Sequence, residues 1–271
     1  MNEKPTSKWS DLGIRTLSAV ILVPIVLAIV WQGGFSFTGF AVALGILMAI
    51  EWVKISFGGN KAQLLIHEVA AASVIMGSIK LSLLALVILT ALSIFLQRKD
   101  VLSFWKSIGV FYIGLPVLAL SLLRDDAQFG WEAVIWCMVI VWSADVMAYF
   151  FGRIIGGPKM APLISPKKTW AGMLGAVVGA VLASGLFSQF SHLEFWPLAG
   201  LAAVFAVLEQ GGDVFESAFK RHYGVKDSGQ LIPGHGGVLD RIDGLIAVVL
   251  IAAVVGIMHN PHSPAAGLLH W

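Results

Sequence analysis

The stretch WEAVIWCMVIVWSADVMAYFF, residues 131–151, carries only Glu132 and Asp145 as charges. Its length falls within the roughly 17–25 residues that a helix needs to cross a hydrocarbon core about 30 Å thick. Comparable apolar runs recur on both sides of it, at 17–31, 35–50, 64–79, 81–96, 101–122, 173–190, 195–208 and 245–258. The pattern predicts an all-α, polytopic membrane protein of about nine spans. Composition agrees, since the chain is 58% hydrophobic and 13% charged, against about 45–50% and 25% in soluble domains. The pair 64–79 and 81–96 is the weakest division, because 70–96 could also be read as one long tilted helix.

Basic residues give the spans a direction, because short cytoplasmic loops collect Lys and Arg. With nine spans and the N-terminus inside, every one of the 18 Lys and Arg residues except Lys80 and Arg124 falls on the cytoplasmic side. Merging the third and fourth spans would weaken that asymmetry. The expected topology is therefore N-terminus cytoplasmic and C-terminus outside. Lys4, Lys8 and Arg15 precede the first apolar run as in a secretory signal, but no small-x-small cleavage site follows, so the run reads as a retained span. A net charge of +2 gives no reason to expect a nucleic-acid partner, and the single cysteine, Cys137, allows neither an intramolecular disulfide nor a cysteine metal site.

No linker separates soluble domains, so 1–271 reads as one membrane domain. Residues 1–125 form scaffold spans, and 126–271 carry the chemistry. Two long polar interruptions, 152–172 and 209–244, fall on the same expected side and are rich in Gly, Pro, Lys and Asp. Within the apolar run quoted above, Asp145 is costly, on the order of 2.5–3.5 kcal/mol at a span centre, so it faces a partner or a cavity. Past the eighth span, Glu209, Asp213, Glu216 or Ser217, and Lys220 would share one face if the helix continues. That face could be a solvated stripe of ion pairs or the wall of a site.

The following loop favours a site. In KDSGQLIPGHGGVLDRIDG, residues 226–244, glycines allow backbone N–H groups to approach an anion, and a helix start supplies the favourable dipole. Asp240 and Asp243, three apart, offer the hard oxygen ligands that Mg²⁺ takes together with phosphate and water. In 156–172 the Ser165-Pro-Lys167-Lys168-Thr169 segment could cradle a polyphosphate, with Thr169 as a helix N-cap, or its lysines could simply neighbour anionic headgroups.

The string SAFKRHYGVKDSGQLIPGHGGVLDRID, residues 217–243, resembles the signature of the CDP-diacylglycerol synthases, also called phosphatidate cytidylyltransferases. Ser217, Lys220, Arg221, Lys226, Asp227, Ile232, Pro233, Gly234, His235, Gly236, Gly237, Asp240, Arg241 and Asp243 carry the match. It extends upstream through Asp213, the Ser165–Thr169 segment and Asp145; Ala171 stands where that family commonly has Glu. The resemblance implies a Mg²⁺-dependent nucleotidyltransferase of phospholipid biosynthesis, joining CTP to phosphatidate, in a bacterial inner membrane with the site facing the cytoplasm. It implies Asp213, Asp240 and Asp243 as metal ligands, with a second cation compatible. Lys167 and Lys168 would hold CTP, while Lys220, Arg221, Lys226, His235 and Arg241 would attend the phosphates. Asp145, Ser165, Ser217, Gly236 and Gly237 would shape the substrate cavity. A homodimer is also compatible. A transporter would fit the span count, but polar features crowd into the second half; a polyprenol kinase would need a base for a hydroxyl, which this string does not call for.

Overall fold

The computed structural model describes residues 8–98, 100–231 and 236–271, the side chains of 8–15, 17 and 19 excepted. His235, among the expected phosphate contacts, lies outside the described residues. The chain runs α1 (Lys8–Gln32), α2 (Gly34–Phe57), α3 (Lys61–Ala72), α4 (Ile79–Leu96), α5 (Ser103–Ser107), α6 (Gly109–Arg124), α7 (Gly130–Ile154), β1 (Lys159–Ala161), β2 (Ser165–Thr169), α8 (Trp170–Ser191), α9 (Phe195–His222), α10 (Leu239–His259) and α11 (Pro264–Leu269). It is a multi-pass helical membrane protein. Among the described residues, seven helical segments are long and apolar enough to cross a bilayer.

Two of the nine expected spans are not among those seven. The first lies in α1, whose described apolar part, Val20–Gln32, is shorter. The other, 64–79, breaks up: α3 has 12 residues, about 18 Å of rise, and passes through a 3-10 turn to Gly77 in the left-handed region. Polar side chains explain why this segment is not a plain apolar rod. Gln63 Nε2 donates to Ser93 O (3.2 Å), and Ser82 Oγ donates to Ser73 O (2.9 Å). These bonds make α3 and α4 antiparallel neighbours, so 70–96 is not one continuous helix.

Side-chain contacts identify the two ends of the bundle. At one end, Trp52 Nε1 of α2 donates to Lys106 O just before α6 begins (3.0 Å). At the other, the Arg124 guanidinium that closes α6 donates to Val30 O (2.5 Å) and Trp31 O (2.7 Å), two of the last carbonyls of α1. A cation there satisfies acceptors that have no partner within their own helix. Close by, Asp126 accepts from the Ser263 hydroxyl ahead of α11 and from the Gln128 and Phe129 amides. Burial works against its charge, but those hydrogen bonds outweigh it and hold the carboxyl below the usual range.

The second half packs on small residues. Along α8, Gly172, Gly175 and Gly179 face α7, where a Cβ on Gly175 would stand 2.5 Å from Met147 O, and Ala176 and Ala180 are fully buried. In lipid, helices gain association by such close backbone approach and not by hydrophobic expulsion. A Cβ on Gly179 would meet the Met147 side chain at 2.6 Å. Gly179→Leu is therefore expected to destabilise the purified protein by about 1–3 kcal/mol, the usual range for overpacking. Thermal unfolding in detergent measures it, with Leu182→Ala, at an exposed position of the same helix, as the near-neutral comparison.

The 152–172 interruption is not purely loop, as an all-α reading would have it. β1 and β2 pair antiparallel, with Lys159 opposite Thr169 and Ala161 opposite Ser165. Thr169 then caps α8, accepting from Gly172 N at 3.0 Å, as its position suggested.

Candidate active site

Four elements converge at the end of the bundle marked by Trp52: β2, the C-terminal half of α9, the start of α10, and the end of α2. The helix α9 continues through Gly211 and Gly212 to His222, so Glu209, Asp213, Glu216, Ser217 and Lys220 do share a face. Gly212 permits the approach of α10, since a Cβ there would lie 2.6 Å from Asp243 O.

Strand geometry decides which lysine enters. Neighbouring residues of β2 point to opposite faces, so Lys167 is exposed while Lys168 turns inward. Lys168 Nζ stands 2.7 Å from Asp213 Oδ2 and donates to Gln210 O at 3.2 Å. Ser217 Oγ donates to Asp213 Oδ1, also at 3.2 Å. Asp145 on α7 lies beside Glu209, and both come within electrostatic reach of Lys168. Asp243 is within such reach of Asp213, Asp145 and Lys168, and its Oδ1 accepts from Gly244 N at 2.9 Å. The helices thus gather four acids, the buried Glu209, the half-buried Asp213 and Asp243 and the exposed Asp145, around one lysine.

A second group adjoins the first. Lys220 Nζ bridges Glu216 Oε2 and Asp240 Oδ1, each at 2.5 Å. Asp240 Oδ2 accepts from Ser228 N (2.9 Å), Ser228 Oγ (2.9 Å) and Gly237 N (3.0 Å). Lys220 is nearly buried, and its position between two carboxylates satisfies a charge that would otherwise be costly there. Asp240 therefore ties the glycine-rich loop to α9 while sitting in the first turn of α10.

The sequence reading passed over Glu51. It comes from α2, is 2% exposed, and accepts from Val238 N and Leu239 N, each at 2.9 Å, while the single Ser228 hydroxyl proton, with Oγ also 2.9 Å away, is shared between it and Asp240. A carboxylate on the open N–H groups of α10 is favourable by both hydrogen bonding and the helix dipole. Two glycines make room for it: a Cβ on Gly229 or Gly237 would lie 2.6 or 2.7 Å from its oxygens. Gly236 next to it has φ +90, which side-chain-bearing residues rarely adopt.

The remaining expected residues spread outward. Ser165 is half-buried at the start of β2, and Lys226 is exposed on the loop. Arg221 is exposed and donates to Val225 O (2.9 Å), tying the loop to the end of α9. Arg241 is exposed, lies within electrostatic reach of Asp145 and also lines an apolar cavity. Among the described residues, no three or more His, Cys, Asp or Glu side chains form a metal cage. Mg²⁺ does not require one, since it commonly takes one or two carboxylates and completes its shell with phosphate and water. Asp213 and Asp243 suit that role. A metal ion would have to displace or join the Lys168 ammonium at Asp213 Oδ2 and the Lys220 ammonium at Asp240 Oδ1.

Residues 13–258 match the cytidylyltransferase family model. The chain is 39% identical over 268 residues to a phosphatidate cytidylyltransferase of Brucella suis biovar 1, covering 95% of this chain and 98% of that protein. It is 34% identical over 251 residues to a phosphatidate cytidylyltransferase of Staphylococcus haemolyticus, covering 87% and 95% respectively.

Proposed function

We propose, since this chain belongs to the cytidylyltransferase family, that it makes CDP-diacylglycerol and pyrophosphate from CTP and phosphatidate. The observation that carries the proposal is the meeting of Lys168, Asp213, Lys220 and Asp240 at one end of an otherwise apolar bundle. A phosphate oxygen of the lipid attacks the α-phosphorus of CTP. The bond from that phosphorus to the α–β bridging oxygen breaks, and pyrophosphate leaves. The nucleophile is already ionised near neutral pH, so no general base is needed. The barrier lies in joining polyanions and stabilising charge on the leaving group, which positioned cations accomplish.

Lys168 meets the CTP phosphates, with Lys167 outside it as a second cation at the entrance. Lys220 and Asp240 hold the glycine-rich loop against α9, and Lys220, Arg241, Arg221 and Lys226 provide positive charge for the phosphates. Mg²⁺ held by Asp213 and Asp243, with Asp240 adjoining, would neutralise charge on the leaving pyrophosphate. CTP is a cytoplasmic solute, so this end of the bundle faces the cytoplasm, of a bacterial inner membrane. A homodimer fits the reading and is checked by cross-linking in detergent.

The test is purified protein with Mg²⁺, phosphatidate and CTP labelled in the cytidine. Label is expected to enter the organic phase; label that stays in water with folded protein overturns the proposal.

A further inference from the structure

Between α1, α2, α6, α7 and α10 lies a cavity of about 340 Å³. Arg241 is its one charged lining residue; the rest of the wall is apolar, from Val26, Leu120 and Met138 to Leu245. On α2 it extends from Phe37 to Leu47, roughly 15 Å of helix rise. Its mouth coincides with the start of α10. Val238 lines the cavity with its side chain while its N–H donates to Glu51, and Asp240, held by Lys220, adjoins Arg241. Its outer wall is α1, where Leu22 and Val23 are partly exposed toward the surrounding lipid.

This shape selects its occupant. An apolar cavity offers water no polar partners and takes apolar guests instead. The guanidinium at the mouth complements an anionic head, and its neighbour Asp240 belongs to the site already described. A long, narrow apolar space with an anion site at its opening fits an anionic lipid with one tail drawn in.

We propose that this cavity holds one acyl chain of the phosphatidate substrate, so that the enzyme measures chain length against Phe37 and Val134 at the closed end. This rests on the proposed reaction only for the identity of the lipid. The second chain stays in the bilayer, and entry is lateral, past α1.

The test needs no mutation at first. The full chain is reconstituted in phosphatidylcholine vesicles with phosphatidate bearing a diazirine at the end of one acyl chain, then irradiated and digested. Adducts are expected on peptides containing Phe37 or Val134. Adducts confined to the outward residues of α8, such as Leu182 and Leu186, which are exposed, would overturn the proposal. Val26→Trp supplies the kinetic arm: the ratio of kcat/KM for dipalmitoyl over dihexanoyl phosphatidate is expected to fall at least about tenfold, as the filled cavity loses contact with the longer chain. A folded variant with the wild-type ratio would equally overturn it. Cavity adducts on a protein that transfers no cytidylyl group would instead refute the proposed reaction and leave the lipid site standing.

Discussion

Asp213→Asn is expected to lower cytidylyl transfer by at least about a hundredfold, the loss typical when one charged element of an electrostatic site is removed. The substitution keeps the size of the side chain and its hydrogen bond with Ser217 Oγ. It removes the negative charge facing Lys168 Nζ at 2.7 Å and the carboxylate best suited to Mg²⁺. The loss should fall on kcat, and raising Mg²⁺ should recover part of it, whereas a folding defect would respond to neither. Initial rates over a Mg²⁺ titration, beside thermal unfolding of the same preparation, make the measurement. Near wild-type turnover would remove Asp213 from the metal assignment.

Glu51→Ala is expected to be as damaging for a different reason. It strips the acceptor from Val238 N and Leu239 N, and one of two from Ser228 Oγ, at once. The two buried amides left without partners cost about 1–3 kcal/mol each, while Ser228 Oγ keeps Asp240, so the start of α10 must shift or admit water. Because Ser228 also bonds Asp240, the disturbance reaches the Lys220 bridge. Turnover should drop at least about a hundredfold with a clear fall in thermal stability. Glu51→Gln keeps an amide oxygen in place and should recover much of the stability but less of the activity. If Glu51→Ala unfolds and turns over like the wild type, the coupling of α2 to the loop is not functional.

The sequence readily yields the parts of this molecule that depend on local pattern. Apolar runs of spanning length mark α2, α4, α7, α8 and α10, and three- and four-residue spacing carries α9 intact across two glycines to His222. Thr169 before Gly172 reads correctly as a cap. What escapes reading depends on contacts distant in the chain. Glu51 meets partners 177 to 188 residues away, and no local period announces them. A signal did exist: a carboxylate within the apolar α2 is costly for the same reason that singled out Asp145. Lys167 and Lys168, adjacent in sequence, read as a pair until the β2 pleat sends them to opposite faces. The 64–79 run misleads because its hydrophobicity conceals His67 and Ser73, which the fold turns inward together with Gln63 just before it.

The central claim concerns which phosphorus of CTP the lipid oxygen attacks. Parallel reactions with CTP labelled at the α- or the γ-phosphorus, phosphatidate and Mg²⁺ decide it. Attack at the α-phosphorus predicts α-label in the lipid product, with an equal amount of γ-label released as pyrophosphate. Recovery of γ-label in the lipid, with α-label left in water as CDP, would contradict the account and make the site a phosphoryl-transfer centre.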